Sequence, residues 1–141
     1  MKKIIVLAVL CIIASTLLLT SCATKSINVL VLDGDGNVIC DQNVKLGAEN
    51  PESIEGKNTF GLDFLEAALT AADIDYYINK EDVSAYVVTN IGELASTTEY
   101  GFKYYVKSSR DKDYVDKSIL TAQKDYVAAG DKLMFKYESL K

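Results

Sequence analysis

The sequence contains no histidine among its 141 residues. This absence excludes imidazole metal ligands, the Ser/His and Cys/His nucleophile pairs, and the commonest general base near neutral pH. Five carboxylates are scattered along polar stretches, and we see no pair whose surroundings would raise one pKa above the other: Glu93, Glu99, Asp111, Asp113 and Asp116. We therefore predict neither a catalytic nor a metal site, and we expect that the protein is not an enzyme and needs no cofactor.

Tryptophan is absent as well, and there is a single proline. Basic residues are outnumbered, 15 against 20 acidic ones. Nucleic-acid binding requires clustered Lys and Arg to meet phosphates, so we expect no nucleic-acid partner. The length fits one domain with a sizeable core.

The first residues have the composition of an export signal. Lys2 and Lys3 precede an uncharged apolar run over residues 4–19, which is short for a membrane span. The run ends in LTSC at residues 19–22, and this resembles the lipobox of bacterial lipoprotein precursors. The resemblance implies cleavage before Cys22, lipid on its thiol, and display on the outer face of the cell membrane. An ordinary signal peptide with a chance cysteine is the alternative.

These expectations divide the chain into a signal peptide at 1–21, a lipidated tether at 22–26 and a domain at 27–141. Of the three cysteines, Cys11 would leave with the signal and Cys22 would carry lipid. Only Cys40 would remain, so no disulfide within the chain is possible. Cys40 lies in an apolar-alternating stretch, and we predict that it is buried and unreactive.

The stretch DGDGN at residues 33–37 separates two strand-like runs, residues 27–32 and 38–46. Its aspartates match the first ligand positions of an EF-hand loop, but Val38 stands where that loop needs glycine and Val44 where it needs glutamate. Gly, Asp and Asn tolerate the positive φ of tight turns. We therefore predict a β-hairpin, with no tight calcium site.

Apolar residues then recur at three- and four-residue spacing over residues 61–73, which predicts an amphipathic helix after a polar loop at 47–59. Runs at 86–88, 102–106 and 132–137 predict further strands, the last two by period-two alternation. The predicted class is α+β: a hairpin, one helix packed on a mixed sheet, then two to three strands. A β-grasp-like closure would pair the first and last strands centrally under the helix.

Four segments in order resemble the bacterial transcobalamin C-terminal-like domain: GLDFLEAA at 61–68, YVVTNIG at 86–92, FKYYV at 102–106, and YV at 126–127 followed by GDKL at 130–133. The resemblance implies a β-grasp-like domain of bacterial surface proteins, and its namesake closes over cobalamin. The chain departs from the pattern at Phe102, where Trp is usual, and at residues 108–111, where Asn-Gly is usual.

We therefore expect a non-enzymatic ligand-binding module on the cell surface, with cobalamin or a related corrinoid as the ligand that the resemblance suggests. An adhesion or protein-assembly module without a small-molecule ligand is the alternative. Short polar side chains at a strand end and exposed tyrosines suit ligand contact. The candidate ligand-binding residues are Thr89, Asn90, Tyr100 and Tyr105.

Overall fold

The computed structural model describes residues 25–141 and has a mixed α+β architecture. The predicted signal peptide, Cys22 and the first residues of the tether lie outside the described residues, so export and lipidation stay predictions. Among residues 25–141, no helix combines the length and the apolar character that crossing a membrane requires.

Eight strands and two helices make up the described part of the chain. In chain order they are β1 (Ser26–Leu32), β2 (Val38–Lys45), α1 (Gly61–Ala71), β3 (Tyr76–Asn79), β4 (Val87–Ile91), β5 (Leu94–Ala95), β6 (Tyr100–Lys107), β7 (Val115–Lys117), α2 (Ile119–Lys124) and β8 (Lys132–Ser139).

The β1–β2 hairpin is confirmed, and Asp33 organises its turn. The Asp33 Oδ1 atom accepts hydrogen bonds from the backbone N–H of Asp35 at 2.9 Å and of Asn37 at 2.7 Å. Gly36 takes a φ of 85°, which a glycine adopts without steric cost. The Asn37 side chain also donates to Asp33 Oδ2 at 2.8 Å, and this bond, followed by the backbone bonds, lowers the pKa of Asp33.

The central pair of the main sheet joins the two ends of the domain. The five strands run in the order β2-β1-β8-β6-β7, and β1 and β8 are parallel, with Val29 opposite Leu133. The expected central pairing of the first and last strands is therefore confirmed. A parallel pair needs a long crossover, and everything from β2 to α2 lies within it.

Helix α1 covers one face of this sheet. Leu65 and Leu69 on the helix and Val31 and Phe135 on the strands are fully buried, and each such side chain contributes about 2 kcal/mol by leaving water. Asp63 closes the first turn, because its Oδ2 accepts from the backbone N–H of Phe60 at 2.8 Å. The helix ends at Ala71, close to the predicted residue 73.

Cys40 is buried, as predicted, under the same helix. Its Sγ lies 3.7 Å from the Ala68 carbonyl oxygen. Burial, assisted by the nearby Asp41 carboxylate, raises the pKa of the Cys40 thiol.

The prediction of two to three strands after the helix was too low, since six are present, and helix α2 was missed. The missed elements are short: β3 has four residues, β5 has two, β7 has three exposed residues and α2 has six. Such lengths carry too few residues to show a period. Strands β3, β4 and β5 form a separate three-stranded sheet beside α1.

Candidate functional site

A charged residue lies on the buried face of α1. Glu66 is only 4% exposed, because it lies one turn from the core residues Leu62 and Leu69 on the same side of the helix. A carboxylate in such a place is tolerated when it is paired and hydrogen-bonded.

Lys80, just after β3, supplies the partner. Its Nζ lies 2.8 Å from Glu66 Oε1 and 3.1 Å from Oε2. The same ammonium donates to the Glu52 carbonyl oxygen at 2.9 Å and lies 5.9 Å from the centre of the Tyr86 ring. Lys80 therefore links helix α1, the loop before it and the small sheet.

The ion pair with Lys80 does not bring the Glu66 pKa back to its ordinary value. Burial raises its pKa, and the hydrogen bond and positive charge of Lys80 offset only part of that effect. The carboxylates of Asp63 and Glu52 raise the pKa further. Desolvation outweighing attraction is the usual balance of a buried ion pair.

Two adjoining clefts open beside this pair, with volumes of about 340 and about 470 Å³. They share Glu52, Glu66 and Tyr76, so together they form one groove between α1, the loop before it and β3. We call this groove the helix cleft. Its other lining residues are Glu49, Asn50, Pro51, Ala67, Thr70, Ala71, Tyr77, Ile78, Lys80 and Glu81.

The helix cleft has the chemistry of a binding surface. Carboxylates accept hydrogen bonds, and Tyr76 and Tyr77 add flat apolar rings with polar tips. Both carboxylate oxygens of Glu66 contact Lys80, which leaves that group poorly placed as a general base. Residues 25–141 contain no cluster of three or more His, Cys, Asp or Glu side chains that would suit a metal ion.

Tyr105, a sequence-predicted site residue, lies on the sheet face opposite α1, because it alternates with the buried Tyr104. Its hydroxyl donates to the Glu138 carboxylate, which also lies 3.1 Å from the Lys136 ammonium. Partial burial and then the bond to Glu138 raise the pKa of Tyr105 to about 12. Burial opposes ionisation of Glu138, but the bonds from Tyr105 and Lys136 outweigh it and lower the Glu138 pKa.

The other three predicted residues lie elsewhere. Thr89 and Asn90 are half-buried on β4 in the small sheet. Tyr100 begins β6, is 48% exposed and stacks on Tyr137 at 6.2 Å between ring centres. Alternation along β6 places Tyr100 and Tyr105 on opposite faces, so no single surface holds all four residues.

None of the four predicted residues lines the helix cleft. The sequence did carry a signal for Glu66: it falls in phase with the apolar stripe, four residues after Leu62 and three before Leu69. A charge inside an apolar stripe marks a paired or functional group. Lys80 gave no such signal, because its partner is distant along the chain.

Comparison with known proteins found no relative of this chain. No family model, no curated protein and no solved structure matches the chain. The likeness to the transcobalamin C-terminal-like domain therefore stays a resemblance of short motifs, and function has to be inferred from the geometry.

Proposed function

We propose that this protein is an exported lipoprotein, anchored through Cys22, whose domain is a non-enzymatic binding module of β-grasp-like topology. The sheet order β2-β1-β8-β6-β7 with α1 across one face supports that topology. The Lys2 and Lys3 region and the LTSC sequence support the anchor.

The observation that carries the binding role is the helix cleft. Its two parts, about 340 and about 470 Å³, adjoin over Glu66 and Tyr76 and fall in the range of ligand sites, about 300–1,000 Å³. Ala67 and Ala71 give it apolar surface, and Glu49, Glu52 and Tyr77 give it carboxylates and an aromatic ring. Such a groove suits a flat, largely apolar ligand with amide donors at its edge.

A corrinoid has this chemistry, since its ring is flat and its side arms end in amides that donate to carboxylates. Corrinoid is therefore the ligand to test first. Mixing the protein with cobalamin should shift the visible absorbance of the corrinoid, and the two should co-elute on gel filtration.

Two exposed tyrosines provide matched variants for that experiment. Tyr77, 54% exposed, lines the helix cleft, whereas Tyr100 is 48% exposed and does not. We expect Tyr77→Ala to weaken corrinoid binding and Tyr100→Ala to leave it unchanged. The reverse result would move the site to the residues predicted from the sequence, and no binding by the parent protein would reject the corrinoid.

An adhesion or assembly module is the second candidate, because exposed apolar side chains lie at a different place. Val83 is 74% and Leu120 is 41% exposed, and Gln123 Nε2 of α2 donates to the Val83 carbonyl oxygen at 2.7 Å. This bond joins Val83 to the helix that carries Leu120, and exposed apolar side chains gathered in one region are typical of protein contacts. Val83→Asp should then abolish a cross-linked complex formed on intact cells, while a complex unaffected by the change would count against this role.

A further inference from the structure

The described chain begins beside a third cleft, whose lining residue Asn58 accepts a hydrogen bond of 2.9 Å from Asn50 of the helix cleft. The Lys25 carbonyl oxygen accepts from the backbone N–H of Leu46 at 2.9 Å. Leu46 lines a cleft of about 230 Å³, and Glu55, Lys57 and Tyr126 form part of the same walls. The end of the chain that continues to Cys22 is therefore held next to this cleft.

Two large apolar side chains are exposed around it. Tyr126 is 72% exposed, with its ring 5.1 Å from that of Phe60 and its hydroxyl 3.1 Å from Glu55 Oε1. Ile54, next to Glu55 along the chain, is 69% exposed. A tyrosine that presents a ring and a polar tip suits a boundary between apolar and wet surroundings.

Lysines lie at the same end of the domain. Lys25, Lys45 and Lys57 are exposed, and none of them forms an ion pair within residues 25–141. Lys45 is joined to the cleft through its carbonyl oxygen, which accepts from Asn58 Nδ2 at 3.2 Å. Long lysine stems lie along apolar surface while the ammonium groups reach headgroup phosphates.

The tether allows little separation from the membrane. Three residue steps lead from Cys22 to Lys25, and a chain spans at most about 3.6 Å per residue, so the tether reaches about 11 Å. Apolar side chains that bind at a bilayer surface are buried about 5–10 Å deep in the interfacial layer, a depth similar to the length of this tether. A domain anchored so closely has to turn the surface around Lys25 towards the lipid.

We propose that Lys25, Lys45, Ile54, Lys57 and Tyr126, here called the tether face, dock on the bilayer that carries the lipid anchor. Tyr126 and Ile54 enter the interfacial layer, and the lysines contact the headgroups. The proposal rests on the proposed lipidation of Cys22.

The lack of native tryptophan allows a direct test with single reporters in the full, lipidated protein. Tyr126→Trp places the reporter on the tether face. Tyr100→Trp is the matched control, because Tyr100 lies at the other end of the sheet. Asn28, near the start of β1, pairs with Lys132 at the start of β8, whereas Tyr100 pairs with Ser139 at the end of β8. The two ends of β8 are about 23 Å apart at about 3.3 Å per residue. Ile54→Trp is a second reporter on the tether face that leaves the Tyr126–Glu55 bond intact.

Each variant is reconstituted into phosphatidylglycerol–phosphatidylcholine vesicles with and without brominated acyl chains. We expect the reporters at 126 and 54 to lose fluorescence to the bromines and to emit at shorter wavelength, while the reporter at 100 does neither. Equal behaviour of all three reporters in vesicle-bound protein would overturn docking and leave the anchor standing. Failure of the protein to float with vesicles, matched by a Cys22→Ser control, would overturn the anchor and docking together.

Discussion

Removing Lys80 tests whether the buried ion pair holds the helix cleft together. In Lys80→Met the Glu66 carboxylate keeps its burial but loses the ammonium 2.8 Å away. The substitution also removes the bond to the Glu52 carbonyl oxygen, so α1, the preceding loop and β3 lose their common link.

The stability lost in Lys80→Met follows from how deeply Glu66 and Lys80 are buried. Leaving one member of a buried pair without its partner costs about 3–5 kcal/mol. The Lys80 side chain is 27% exposed against 5% for Glu66, so water already screens part of the attraction, and we expect about 3 kcal/mol, the lower end of that range. Lys80→Met with Glu66→Leu should recover most of the loss, because no charge is then left buried.

Urea unfolding of residues 22–141 carrying Cys22→Ser, followed by far-UV circular dichroism, measures these differences. Lys141→Met is the matched control, since Lys141 lies 3.0 Å from Glu99 with 75% of its side chain exposed and should contribute no more than about 1 kcal/mol. Equal losses for Lys80→Met and Lys141→Met would refute the reasoning.

The pH dependence has a definite sign. Folding raises the Glu66 pKa above its ordinary value of 4.5. The favourable contribution of Glu66 to the free energy of unfolding is therefore fully present below pH 4.5 and is lost as the pH rises through the folded-state pKa. Loss of Lys80 raises the folded-state pKa further. The stability difference between Lys80→Met and the parent should therefore narrow as the pH falls towards 4.5, and a difference that widens would contradict the assignment.

Three further predictions concern other parts of the fold. Gly61→Ala should lower the unfolding free energy by about 2 kcal/mol, because the added Cβ would lie 2.6 Å from the Tyr104 hydroxyl; an unchanged urea midpoint would contradict this. Tyr105 should ionise near pH 12 in an ultraviolet titration, and ionisation near the ordinary value of 10 would contradict its partial burial and its bond to Glu138 together. Tyr105→Phe should raise the Glu138 pKa, so that acid unfolding begins at higher pH. Cys40, buried at 3% exposure, should react with a maleimide only after denaturation, and rapid labelling of the folded protein would show that it is accessible.

The hairpin, helix α1 and strands β6 and β8 could be predicted because their signals are local. Asp33 and Gly36 define a turn within a few residues, and the alternation from Phe102 to Val106 reports which face is buried. Strand β7 could not be predicted, since all three residues of Val115–Lys117 are exposed and show no apolar alternation.

The candidate site was less accessible to sequence reasoning. Tyr100 and Tyr105 are close in the sequence and aromatic, but alternation places them on opposite faces of β6. Asp63 and Glu66 both lie near the start of α1, where the helix dipole favours carboxylates, but only Asp63 accepts a bond from the start of the helix, whereas Glu66 pairs with Lys80.

The order of apolar and polar residues by itself determined that this chain forms a hairpin, an amphipathic helix and alternating strands, because each of these repeats within one segment. Only the tertiary structure decided that Lys80 meets Glu66 across 14 residues. It also decided that Tyr126 lies beside the start of the domain and that a cleft opens along α1. These contacts join segments whose local patterns are independent, and only folding β3 and α2 against the helix brings them together.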